Sequence, residues 1–369
     1  MQRKPGFFKL IYKDGKYSPL AGRKTKRTHS GLSAHPGKTQ IRSSPACGCR
    51  GWHTDGARFP CVGMIKNPNM LRIAWSPVYA HPLPPGHRFP MEKYTLLPEQ
   101  LLYEGTATAA NFFAPPPLPE PWLLATHDAG YWHRLQNLQL TPAEVRKTGF
   151  PLSETLVQRE IVIAHGTVMA AKFALQYGAA MNIAGGTHHA FTDRGEGFCL
   201  LNDMAIAANY LLLHNLAKQI LMVDLDVHQG NGTAQIFRHE PRVFTFSMHG
   251  ANNYPLHKEQ SDLDVPLPDR ADDKYYLLEL QNHLPRLMDT VQPDFVFFQS
   301  GVDVLATDKL GKLGLTREGC KTRDRMVWET CRRHRIPVVA SMGGGYSARL
   351  ADIIEAHANT YRLAQEIFF

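Results

Sequence analysis

From about residue 71 onward, short apolar runs alternate with longer stretches in which apolar residues recur every three or four positions. The runs Ile220–Val223, Val243–Met248, Phe295–Phe298 and Pro337–Ala340 are largely apolar throughout, as expected of strands buried on both faces of a parallel sheet. Leu71–Trp75 reads as an earlier strand and Met181–Ala184 as a further short one. Helical spacing through Ile161, Ala164, Val168, Ala171 and Leu175 predicts a helix that stops at Gly178, a residue suited to a C-cap. Further helices are predicted over residues 203–216, with Asn202 as N-cap, and around 272–290, 316–334 and 350–366. This alternation predicts an α/β fold, one open, mostly parallel sheet with helices on both faces. No internal repeat interrupts it.

Residues 1–69 break the pattern. They are rich in Lys, Arg, Gly, Ser, Thr and Pro and show no sustained periodicity. Such a segment cannot bury enough apolar surface to offset its ordering entropy. It is expected to be a disordered leader or a non-native extension, with Met64 and Met70 as alternative starts and the folded domain over 70–369. Cys47, Cys49, His53 and Cys61 could suggest a structural zinc, but their spacing fits no common finger. The basic, acid-poor leader also has a transit-peptide composition, without an obvious amphipathic helix.

Locating the charge changes the meaning of the formal net value of +8. Residues 1–69 hold 14 Lys/Arg against Asp14 and Asp55, leaving 27 Lys/Arg against 31 Asp/Glu in the rest. The folded part is therefore mildly acidic and gives no electrostatic case for direct nucleic-acid binding. Cys199, Cys320 and Cys331 are too scattered for a disulfide framework, which points to a reducing compartment. No run is long enough for a membrane span or a secretory signal. A cytoplasmic location, away from membranes, is expected.

The chemically unusual residues cluster just after the predicted strands, where an open α/β sheet places its ligand crevice. Gly185-Gly-Thr-His188-His189 follows one run and Asp224-Leu-Asp226-Val-His228-Gln-Gly230-Asn231 the next. Gln299-Ser-Gly-Val-Asp303 and Met342-Gly-Gly-Gly-Tyr346 follow two more. On an extended segment Asp226 and His228 would point the same way and could face one metal. With Asp303 as third ligand, a position for water stays open, the arrangement of catalytic zinc sites. For Asp226 and His228 alone, a loop that caps a nearby helix is an equal reading; the other strand ends tip the balance. Adjacent His188 and His189 could supply a general base and an electrostatic partner, with Asp224 orienting one of them. Tyr346 could turn its phenol toward a carbonyl oxygen.

These motifs, together with Gly-Phe-Cys-Leu-Leu-Asn-Asp at 197–203, closely resemble the zinc-dependent histone deacetylase family within the arginase/deacetylase fold. The resemblance covers roughly Leu71 to the C-terminus and leans toward the class IV and bacterial branch. It implies one zinc per chain on Asp226, His228 and Asp303, with His189 as general base and acid. His188 would be its electrostatic neighbour, hydrogen-bonded to Asp224, and Tyr346 would polarise the amide carbonyl. It also implies a substrate tunnel that involves Gly197, Phe198, Tyr254 and Gly344, and a structural K+ near Asp224 and Ser247. Asn231 stands where many class I members carry Asp, so it biases the charge of His189 less strongly than a carboxylate would. Cys199 reads as a packed small residue.

The activity so implied is hydrolysis of an N-acyl amide, with acyl-lysine in proteins as the expected substrate. Three alternatives share parts of the evidence. An acetylpolyamine or small-amine deacetylase would use the same chemistry. A binuclear manganese hydrolase of the arginase type would need bridging carboxylates where this chain has Gly230 and Gly301. A non-catalytic acyl-lysine binder would not need the full set of catalytic side chains.

Overall fold

The computed structural model describes residues 10–13, 16–19 and 70–369. The chain divides into two units, Met1–Asn67 and Pro68–Phe369. In the first, β1 (Leu10–Lys13) pairs antiparallel with β2 (Lys16–Pro19). Cys47, Cys49, His53, Cys61 and Met64 lie outside the described residues.

The second unit holds one eight-stranded sheet. Its strands are β3 (Arg72–Ala74), β4 (Phe112–Phe113), β5 (Ala179–Asn182), β6 (Ile220–Asp224), β7 (Val243–Gly250), β8 (Leu263–Leu267), β9 (Phe295–Gln299) and β10 (Val338–Ser341). The order is β4-β3-β5-β10-β9-β6-β7-β8, and every neighbouring pair is parallel. All residues of β5, β6, β9 and β10 are buried, as strands covered on both faces require. These four strands are also contiguous at the centre of the sheet, so the loops that follow them open beside one another. That juxtaposition positions the site.

Most expected elements form. The helix Glu154–Tyr177 ends at Gly178, whose φ of 91° suits a glycine. The helix Asp203–Leu213 is capped by the Asn202 side chain, which accepts from the Ala205 amide. The helices Asp273–Val291, Arg317–His334 and Leu350–Phe368 lie where periodicity put them. Two expectations shift. The short strand runs over Ala179–Asn182 and not 181–184, because Ile183 and Ala184 continue the apolar run into the loop. Asp226 and His228 lie on a bend beyond the end of β6, not on an extended segment.

The helix Lys93–Tyr103 was not expected, because Pro98 lies inside it. Proline has no N–H to give the carbonyl four residues earlier, which is that of Tyr94. Trp75 Nε1 donates to that oxygen at 2.8 Å instead, so a tertiary contact replaces the missing bond. Among the described residues, no helix is long and apolar enough to cross a membrane.

Candidate metal centre

Asp226, His228 and Asp303 are buried, and one ligand atom from each lies within 4.8 Å of the others. His228 Nδ1 sits 3.1 Å from Asp226 Oδ1 and 3.1 Å from Asp303 Oδ2. Asp303 Oδ2 is fully buried with no hydrogen bond of good geometry; the His228 Nδ1 that faces it at 3.1 Å also serves Asp226 Oδ1. An unsatisfied buried carboxylate oxygen is costly, and a cation is the natural remedy. The charge balance agrees. Burial and the neighbouring Asp226 push the Asp303 carboxyl up to about 7. Burial opposes ionisation of Asp226 as well, but the imidazoles of His188 and His228 hold it well below the usual range. Two buried carboxylates with one nitrogen donor form an N/O set that a borderline cation such as zinc would fit.

The surrounding loops hold these groups in place. Gly344 N donates to Asp226 Oδ2 at 2.9 Å, and Val227 N donates to Asp303 Oδ1 at 3.0 Å. Gln299 Nε2 donates to Gly186 O at 2.8 Å. Arg323, wholly buried, donates from Nη1 to Leu225 O and Gly301 O at 3.1 and 2.6 Å. It ties the helix Arg317–His334 to both ligand loops, with Asp324 as its counter-charge at 2.7 Å. Asp203 Oδ1 accepts from the Thr187 amide and hydroxyl at 2.9 and 2.7 Å and fixes the loop that carries the paired histidines.

The rings of His188 and His189 are 4.1 Å apart, yet they are tuned in opposite directions. His188 Nδ1–H donates to Asp224 Oδ2 at 2.7 Å. Burial pulls its pKa down, but the charges of Asp224 and Asp226 outweigh this and the net shift is upward. His189 Nδ1–H donates to Asn231 Oδ1 at 2.6 Å. Burial and the neighbouring His188 and His228 hold it well below the usual imidazole range, and the Asn231 bond does not reverse this. His189 is thus a neutral imidazole whose Nε2 lone pair is free to accept a proton.

Tyr346 lines the same cavity as His188, His189, Asp226 and His228. Burial, then the charges of Asp303 and Asp226, raise its phenol well above the usual range, so the hydroxyl stays a donor. Phe198 and Tyr254 both reach the outer part of the cavity. The Tyr254 ring meets His189 edge-on at 4.9 Å, and its hydroxyl donates to Glu196 at 2.8 Å. Gly197 passes between these rings: a Cβ there would lie 2.7 Å from the His189 ring. Cys199 is a buried thiol whose pKa burial raises well above the usual value. Asp224 and Ser247 are register partners on β6 and β7. Ser247 Oγ lies 3.0 Å from His249 Nδ1, and Asp224 serves His188 and the Asp226 amide.

Gly230 and Gly301 leave no space for the carboxylates of a second metal. A Cβ would fall 2.2 Å from Asp224 Oδ2 at the first and 2.1 Å from Asp226 Oδ2 at the second. Gly344 is equally confined, with a Cβ 1.9 Å from Asp303 Oδ2. Gly344→Ala is therefore expected to lower metal affinity roughly 10–100-fold, the range for disturbed ligand support. Isothermal titration with the metal checks this, and an unaltered affinity would contradict the packing described.

Lys93 was not singled out by sequence. It is fully buried, donates to Gly343 O at 3.1 Å and lies 5.7 Å from the centre of the Tyr346 ring. Burial depresses its pKa to about 8 against the opposing charges of Asp303 and Asp226.

A family model for the histone deacetylase domain matches residues 87–361. A protein of Picosynechococcus sp. described as uncharacterized is 43% identical over 296 residues, covering 80% of this chain and 99% of its own. Histone deacetylase 2 of Arabidopsis thaliana is 30% identical over 285 residues, 73% of each chain. An HDAC homolog from Aquifex aeolicus superposes with a TM-score of 0.70 at 23% identity, over 80% of this chain and 84% of that one. The HDA15 HD domain gives a TM-score of 0.66 at 20% identity, over 78% and 89%. The two superpositions show a shared fold.

Proposed function

The chain belongs to the histone deacetylase family, and on that premise we propose that it uses one zinc ion to hydrolyse acyl-lysine in proteins. The observation that carries this reading is the convergence of Asp226, His228 and Asp303 beside a cavity that Asp226 and His228 line together with His189 and Tyr346.

The triad would hold the ion, which when bound supplies Lewis-acid polarisation of the acyl carbonyl and acidifies water. His189 accepts a proton from the attacking water at Nε2, because Nδ1–H is committed to Asn231. Tyr346 donates its hydroxyl to the carbonyl oxygen as negative charge develops there. His188, hydrogen-bonded to Asp224 and with its proton affinity raised by Asp224 and Asp226, stands beside His189 as its electrostatic neighbour. The departing amine takes its proton from His189 or His188, and the products are a carboxylate and a free lysine. Phe198 and Tyr254 flank the path of the lysine methylenes. A potassium ion beside Asp224 and Ser247 belongs to the proposal, but no step depends on it.

The test compares acetyl-, trifluoroacetyl- and myristoyl-lysine peptides with N-acetylputrescine. Higher kcat/KM on at least one peptide supports the reading. Preference for N-acetylputrescine would favour a small-amine deacetylase, and metal-loaded protein inert on all four would favour a binder.

A further inference from the structure

The mouth of the pocket has a charge that the hydrolytic chemistry does not use. Around Phe198, Tyr254 and Leu310 the cavity measures about 250 Å³. Apart from the two site histidines, the charged side chains that line it are Arg88, Lys147 and Lys312, and no carboxylate lines it. A groove of about 810 Å³ shares Arg88 and Tyr346 with it and adds Lys309 against a single acid, Glu92. Composition does not explain this, because acids outnumber bases, 31 to 27, over residues 70–369.

These cations are also available. Arg88, Lys309 and Lys312 are exposed. The Arg88 guanidinium lies 5.0 Å over the Phe198 ring, and Lys312 Nζ donates to Asn252 O at 2.9 Å. None of the three forms an ion pair among the described residues. Lys147 is 3.9 Å from Glu196, but that carboxylate already accepts from Arg194 at 2.9 Å and Tyr254 at 2.8 Å.

We propose that this mouth selects acyl-lysines embedded in acidic peptide segments. The acylated side chain enters between Phe198 and Tyr254, while flanking Asp or Glu residues lie along Arg88, Lys309 and Lys312. A cleft lined with one sign of charge concentrates ligands of the opposite sign and repels like-charged ones. The same field opposes a polyamine, whose remaining amines are protonated at neutral pH. This inference rests on the deacylase reading above and names its substrate class.

The test uses three peptides of equal length around one acyl-lysine, flanked by Glu, by Gln or by Lys. The ratio of kcat/KM for the Glu peptide over the Lys peptide is expected to reach at least about 10 at low salt and to fall toward about 1 at roughly 0.5 M salt. The double variant K309E/K312E is expected to lower that ratio at least about tenfold, mainly through KM. The ratio is internal to each variant, so partial damage to the fold cancels. Equal or better use of the Lys peptide, or a ratio indifferent to salt and to charge reversal, would overturn the proposal. So would an acyl-lysine without flanking residues that matched the Glu peptide, or duplex DNA that competed better than acidic peptide. If no peptide is turned over, the deacylase reading fails; fluorescence anisotropy with the same labelled peptides then decides separately. Tighter binding of the Glu peptide supports the acidic mouth, and equal binding overturns it.

Discussion

Tyr346→Phe is expected to lower kcat about 10²–10³-fold, the loss typical of a removed oxyanion donor, with metal content and KM close to those of the parent. The ring is held without its hydroxyl: it meets Phe89 edge-on at 6.0 Å and Phe198 at 5.9 Å. Its backbone amide donates to Asp308 at 2.6 Å. Phenylalanine can therefore occupy the same space and keep the loop. What it lacks is a donor that burial and two nearby carboxylates keep protonated. Because that donor matters most as charge builds on the carbonyl oxygen, the loss belongs in kcat. Steady-state kinetics on the preferred acyl-lysine peptide checks this, and near-normal turnover would remove Tyr346 from the chemistry.

The second large effect is expected from Asp303→Asn, which removes a charged ligand while keeping its shape. Lewis-acid assistance is worth several kcal/mol, so activity should fall on the order of 10³-fold or more. Stability should move differently. In the metal-free chain, Asp303 is a buried carboxyl whose ionisation is opposed by burial and by Asp226. Replacing it with a neutral amide therefore removes repulsion, and the metal-free variant should melt no lower than the parent. The parent should gain melting temperature when metal is added, by mass action on the folded state, and the variant should gain little. Calorimetry with and without metal separates the two. A variant that kept both the gain and the turnover would show that Asp303 is not a ligand.

Much of this site was legible because its residues are carried by strand ends. β5, β6, β9 and β10 are apolar enough to declare themselves, and the loops after them hold the His, Asp and Tyr residues in unbroken motifs. Their adjacency in the sheet could not be read from chain order, because β10 and β9 insert between β5 and β6. Asn202 and Gly178 marked helix ends through local chemistry, and local chemistry does not depend on the fold. The helix Lys93–Tyr103 was hidden by Pro98, whose cost is relieved by Trp75, eighteen residues before the helix begins. Lys93 and Arg323 were invisible for the same reason. Their work is done on carbonyls of Gly343, Leu225 and Gly301, and nothing in the local sequence marks a lysine or arginine as buried. The cationic mouth was likewise masked, since Arg88 and Lys312 come from separate loops and Lys147 from the helix Pro142–Thr148, all within an acidic domain.

The most direct test of the account is the metal content of the purified chain, measured with turnover before and after chelation. About one zinc per chain is predicted, with acyl-lysine hydrolysis lost on chelation and restored by one equivalent of zinc. Two manganese ions per chain, or turnover indifferent to the chelator, would contradict it.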